Sequence, residues 1–209
     1  MHDDFKQLSS MQIDALREIG NVGAGNAATA LAQMINSKID MNVPKVSILP
    51  FNEVADQVGG ADRHVMGIYL HVVGSAPASI LFMLPVEQAS RLVQMLMGGN
   101  VDEIKTDDFS DMEISAMMEL GNIISATYLN AMAMFTQLKF IPSVPALGID
   151  MAAALLDAIL AVFGEIADHV LVLETAFKKE DHDIVGSFFL LPEPGSLDII
   201  LTSLGVNIG

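Results

Sequence analysis

The sequence contains no cysteine, which excludes a disulfide framework, a thiol nucleophile, an iron–sulfur cluster and any cysteine-ligated zinc site. Positive charge is scarce: 10 Lys plus Arg stand against 26 Asp plus Glu, a formal net charge of −16. Proteins that bind a phosphate backbone carry a basic footprint, so a nucleic-acid partner is excluded and an anionic membrane surface disfavoured. Long apolar runs are missing too. The most apolar stretch, Met151 to Phe163, is interrupted by Asp157 and falls short of the roughly 20 residues that span a bilayer. The first residues, MHDDFKQLSS, are acidic and polar, unlike the basic and then apolar start of a signal peptide. The five histidines (His2, His64, His71, His169, His182) share no ligand spacing, and no metal site is expected from them. What is abundant is apolar side chain, 52 % of 209 residues. A chain of this length buries roughly 70 % of its unfolded surface, so a cytoplasmic protein with a large core and no membrane insertion is expected.

The chain resembles itself. ALREIGNVGAGNAATALAQMINSKI (15–39) aligns with AMMELGNIISATYLNAMAMFTQLKF (116–140), placing Glu18, Gly20, Asn21 and Pro44 on Glu119, Gly121, Asn122 and Pro145 at a constant offset of 101. Farther on, SILFMLPVEQASRLVQMLMG (79–98) resembles GSFFLLPEPGSLDIILTSLG (186–205) at an offset near 107. The second copy therefore carries a short insertion. Two copies are too few for a solenoid and point to one domain, 1–209, built of two interlocked, pseudo-symmetric repeats of about 1–105 and 106–209.

Apolar spacing from Ile13 to Met34 predicts a helix from Ser10 to about Asn36, with Ser9 or Ser10 as its cap. Strands are expected over Lys45–Pro50, Val65–Val73 and Ala78–Leu84, followed by a helix from Pro85 to Met97 closed by Gly98-Gly99. In the second copy, helices are expected over about Ser110–Thr136 and Asp150–Glu165, strands near His169–Phe177 and Ile184–Leu191, and a last helix near Gly195–Leu204. The acidic run Val101–Asp111 reads as the seam. Short turns between strands favour an α+β fold, with an antiparallel sheet of about six strands covered by helices.

On an ideal helix Asp14, Glu18 and Asn21 lie within a stripe about 60° wide, and Ser115, Glu119 and Asn122 repeat it. Around the stripe the sequence drifted (VGAGNAA became IISATYL), whereas Glu, Gly and Asn stayed. Gly20, Gly23 and Gly25 within one helix need a reason, since each costs about 1 kcal/mol relative to Ala; close packing of the repeats and access for a partner are the two candidates. The second stripe has one carboxylate, too few for a dedicated hard-cation site, and no acid pair for glycoside hydrolysis is defined. Asparagine is no base, but it can fix a water by donating and accepting hydrogen bonds. That suits phosphoryl transfer, where positioning dominates, with the neighbouring carboxylate free to dock on a lysine of the phosphorylated partner. Gly20-x-x-Gly23-x-Gly25 has the wrong order for a dinucleotide loop and no strand before it. The 14 methionines are read as core filler.

The pattern Asp/Ser-x3-Glu-x2-Asn-x22-Pro, present as Asp14, Glu18, Asn21, Pro44 and again as Ser115, Glu119, Asn122, Pro145, resembles the signature of the CheC-type chemotaxis phosphatases, the CheC/CheX/FliY family. The resemblance implies hydrolysis of the aspartyl phosphate of the response regulator CheY, with Mg²⁺ held by the regulator and no cofactor bound by this chain. It implies that Asn21 and Asn122 orient the attacking water, that Glu18 and Glu119 pair with the regulator's lysine, and that Pro44 and Pro145 are structural. It further implies modulation by the receptor deamidase CheD, through a helix beginning at Asp150, and a monomer with an internal pseudo-dimer. The alternative is a non-catalytic scaffold of the same fold, like the flagellar switch middle domains.

Overall fold

The helical spacing of Leu16, Ile19, Ala27 and Leu31 becomes α1, Ser10–Ile35, which buries those residues against the sheet. The computed structural model describes residues 10–105, 108–163, 169–179 and 181–205; Ser9 and Glu165 lie outside them. β1 (Asp40–Pro50) follows, then two 3-10 turns (Phe51–Glu53 and Ala55–Val58), the hairpin of β2 (His64–Gly74) and β3 (Ala78–Pro85), and α2 (Val86–Met97). The second copy repeats this order as α3 (Asp111–Thr136), β4 (Phe140–Pro142), β5 (Ala146–Met151), α4 (Ala152–Phe163), β6 (His169–Lys179), β7 (His182–Pro192) and α5 (Ser196–Ser203).

Local chemistry sets the ends of these elements. α3 starts at a capping box in which the Ser110 hydroxyl accepts from the Glu113 amide while the Glu113 carboxylate accepts from the Ser110 amide. α1 and α3 both stop at a left-handed residue, Asn36 (φ 49°) and Gln137 (φ 60°), 101 positions apart like the rest of the repeat. Gly98 closes α2 with a φ of 73°, the conformation glycine adopts without strain.

All seven strands pair antiparallel in one sheet, in the order β1-β6-β7-β3-β2-β4, with β5 also on β2. The two β-hairpins meet in the middle, where Ile80 of β3 pairs with Leu190 of β7. The first strand of each repeat crosses to the hairpin of the other: β1 pairs β6, while β4 and β5 pair β2. The interlock is therefore an exchange of edge strands. One sheet face carries Ile68, Phe82 and Leu173 into a core shared with α1, α2, α3 and α5. The opposite face carries Leu81, Val172 and Phe189 under α4 and the 3-10 turns.

The antiparallel sheet has seven strands among the described residues, against about six expected, because residues 140–142 and 146–151 each pair with β2. One expectation needs correction. Asp150 does not open a helix: it pairs with Val65 in β5, and α4 begins only at Ala152. The intramolecular ladder overrides the helical reading of IDMAAALLDA.

Candidate functional site

Both stripes face solvent. Asp14, Glu18 and Asn21 on α1 and Ser115, Glu119 and Asn122 on α3 are exposed, while the adjoining Gly20 and Gly121 are buried. Those two glycines bring the helices down onto the sheet. A Cβ at Gly20 would stand 2.8 Å from Leu173 Cδ2 of β6, and one at Gly121 2.5 Å from Ile68 Cγ2 of β2. Gly23 is the contact between the repeats, lying against the ring of Tyr128 on α3. Gly25 has open space around it. Close packing thus accounts for Gly20, Gly23 and Gly121, and partner access is not their reason.

Tyr128 of α3 fills the space that Gly23 leaves on α1. Its ring meets Phe188 edge-on at a centroid distance of 4.7 Å, its hydroxyl bonds Thr175 Oγ1 at 3.2 Å, and burial pushes its pKa up to about 12.

The two prolines sit where the first strand of each repeat is interrupted. In β1 the register with β6 shifts between Asn42 and Lys45, leaving the Val43-Pro44 step as a bulge. Proline has no N–H to give to a ladder. The Val43 N–H is taken instead by Asn21, whose Oδ1 accepts it at 3.0 Å. A backbone N–H can only donate, so the accepting atom is the carboxamide oxygen and the NH2 group points away from the strand. Val43 lies against α1 and is 2 % exposed, its Cγ2 3.3 Å from where a Cβ on Gly20 would stand. Asp14, beside this site, is ion-paired with Arg17.

In the second copy the same interruption is wider. It separates β4 from β5, and residues 143–145 stand off α3 as a loop. Ser143 anchors this loop to β2: its N–H donates to the His71 carbonyl at 2.7 Å, and its Oγ accepts from the His71 N–H at 3.0 Å. Between loop and helix lies a groove of about 680 Å³, walled by Ile114 and Met118 on one side and Pro142 to Pro145 on the other. Ser115, Glu119, Asn122 and Pro145, the second copy of the sequence pattern, all line it. Among the described residues neither Glu18 nor Glu119 has an ion-pair partner, so each carboxylate is available to a cation from outside. Val43 and Val144 were not singled out from the sequence, although each directly precedes its matched proline; that repeat of Val-Pro was the available signal.

The start of α3 is held by a polar network. Lys105 Nζ bonds both oxygens of Glu113 at 2.7 and 2.9 Å. With the Ser110 amide and hydroxyl, it holds the Glu113 carboxyl down at about 2. Asp150 is exposed on β5, where it pairs with Val65 two residues before α4 begins, and it is not among the residues that line the groove over α3. Among the described residues there is no group of three or more His, Asp or Glu placed to hold a metal ion, and no helix is long and apolar enough to cross a membrane.

The fold is shared with solved structures of FliY and FliM. It superposes on the crystal structure of Thermotoga maritima FliY with a TM-score of 0.73, covering 95 % of this chain and 98 % of that one at 18 % identity. The middle domain of H. pylori FliM gives 0.67 over 94 % and 99 % at 13 % identity. In sequence, residues 11–48 and 112–149 each match the CheC-like family, and these segments hold the two stripes with their prolines. The CheY-P phosphatase CheC of Bacillus subtilis (strain 168) is 36 % identical over 206 residues, 98 % of this chain and 99 % of that protein. The chain belongs to the CheC-like family, a phosphatase of the hydrolase class.

Proposed function

We propose that this chain hydrolyses the aspartyl phosphate of a CheY-type receiver domain in the cytoplasm, with Asn21 and Asn122 as water-positioning residues and Glu18 and Glu119 as docking carboxylates. The observation that carries the reading is the groove over α3, in which Glu119 and Asn122 share one exposed face and Pro145 forms the opposite wall. The full-length relative's name, CheY-P phosphatase, supports the substrate. In the reaction a water oxygen attacks phosphorus in line while the bond to the aspartyl oxygen breaks. The products are a free carboxylate and dihydrogen phosphate, which keeps both hydrogens of the water and passes one to solvent according to pH. The carboxamide contributes by holding the water at the correct angle, a positioning effect of the kind that dominates phosphoryl transfer. The Mg²⁺ that neutralises the phosphoryl group arrives with the receiver as part of the substrate. At site 1 the Asn21 oxygen already serves Val43, so its NH2 group and remaining lone pair are what a water meets.

Modulation by CheD belongs to the same proposal. Its candidate contact is the surface around α4, where Tyr69, Leu81, Leu147, Leu155 and Ile159 line an apolar groove of about 210 Å³, with the exposed Asp150 on the adjoining strand. The chain acts as a monomer, because its two motif-bearing helices already pack on each other within one chain.

The likeness to the FliM middle domain favours a second reading, a scaffold that binds regulators without hydrolysis. Release of phosphate from a ³²P-labelled receiver separates the two. Wild type is expected to accelerate release, and Asn21→Ala combined with Asn122→Ala to abolish the acceleration; equal rates would leave the scaffold.

A further inference from the structure

We propose that Val144, with Met118 beside it, is an apolar docking contact that the second Glu/Asn site has and the first site lacks. The inference rests on the hydrolytic reading above. Val144 is 86 % exposed, more than any other large apolar side chain among the described residues, whereas its repeat counterpart Val43 is 2 % exposed. The exposure is built in. Prolines 142 and 145 flank the loop, Ser143 ties it to His71 through two hydrogen bonds, and the Ser143 hydroxyl donates to the Val144 carbonyl at 3.0 Å. An isopropyl group held in water by a pinned backbone is preorganised for burial, since little entropy is lost when a partner covers it.

Position decides the occupant. Val144, Met118, Glu119 and Asn122 line one groove, so a receiver whose phosphoryl group reaches Asn122 must lie across Val144. The complementary chemistry is an apolar patch next to the phosphoaspartyl group. At site 1 the position of Met118 is taken by Arg17, paired with Asp14, and the position of Val144 is buried. The same partner thus meets an apolar contact at one site and an ion pair at the other.

The test isolates each site. Asn21→Asp silences the first while keeping an oxygen for the Val43 amide, and Asn122→Ala silences the second. The probe is a ³²P-phosphorylated CheY receiver with Mg²⁺. In the Asn21→Asp protein, Val144→Ser is expected to raise KM about tenfold with kcat changed less than about twofold, the loss of uniform binding expected from one apolar contact. Val144→Ile should restore KM, and in the Asn122→Ala protein Val144→Ser should leave KM within about twofold. A KM that does not move in the Asn21→Asp protein, or that moves equally in both, overturns the inference. If Asn21→Asp with Asn122→Ala hydrolyses at the wild-type rate, the hydrolytic reading fails; if that double variant is inactive while Val144→Ser is silent, only the docking contact fails.

Discussion

Asn21 and Asn122 occupy equivalent positions, yet alanine at the two should have unequal effects on stability. Asn21 Oδ1 takes the N–H of Val43 at 3.0 Å, at a bulge where β1 cannot offer that donor to β6. Val43 is 2 % exposed, so truncating Asn21 leaves a buried donor unsatisfied, which costs about 1–3 kcal/mol. Among the described residues Asn122 makes no such bond, and it lines an open groove. Alanine is the better helix former by roughly half a kcal/mol at both positions, so the informative quantity is the difference between the two variants, about 2 kcal/mol. In a chain of this size it corresponds to roughly 4–8 °C in Tm. Thermal and urea unfolding followed by circular dichroism at neutral pH would read it directly. Asn21→Ala should melt below wild type, Asn122→Ala at or slightly above it, and Asn21→Asp, which keeps the acceptor, close to wild type. Coincident midpoints for the two alanine variants would refute the account of Asn21 as a stand-in for a missing ladder bond.

Other consequences can be checked with the same preparations. Gly121→Leu, whose Cβ starts 2.5 Å from Ile68 Cγ2, should lower stability by about 2–3 kcal/mol, whereas Gly25→Ala meets nothing within 4 Å and should raise it by about 0.5–1 kcal/mol; the opposite order in urea midpoints would undo the packing argument. The Glu113 carboxyl is held at about 2 against an ordinary 4.5, so its contribution is complete above the ordinary value and is lost as pH falls through the folded one. Stability measured at pH 6 and again below pH 3 should therefore fall by about 2 kcal/mol more in wild type than in Glu113→Gln; equal losses would mean that the Lys105 network contributes nothing. With a net charge of −16, and with the acidic phosphorylation pocket expected of the receiver in the proposed reading, overall charge should not steer association. Added salt should leave receiver binding unchanged or strengthen it, and a steep loss between low and physiological salt would contradict the local-pair picture.

Much of this was written in the order of residues. A constant offset of 101 placed Glu18, Asn21 and Pro44 on Glu119, Asn122 and Pro145, and helical spacing alone predicted that each stripe shares one face, because the 3.6-residue period is a local property of the backbone. The long helices, their left-handed ends at Asn36 and Gln137 and the capping box at Ser110 follow from the same short-range chemistry. What lay beyond the sequence depends on groups far apart in the chain. That β1 pairs with β6 and β5 with β2 is settled by burial of both sheet faces, and no residue near β1 names its partner. Asp150 reads locally as a helix start, but its backbone bonds go to β2. The same Val-Pro pair is folded under Asn21 in one copy and stands open beside Asn122 in the other. The difference arises because Asn21 captures the Val43 amide, whereas Ser143 commits the second loop to His71. The sequence by itself determined two equivalent sets of groups; only the tertiary hydrogen bonds decided that they become two different surfaces.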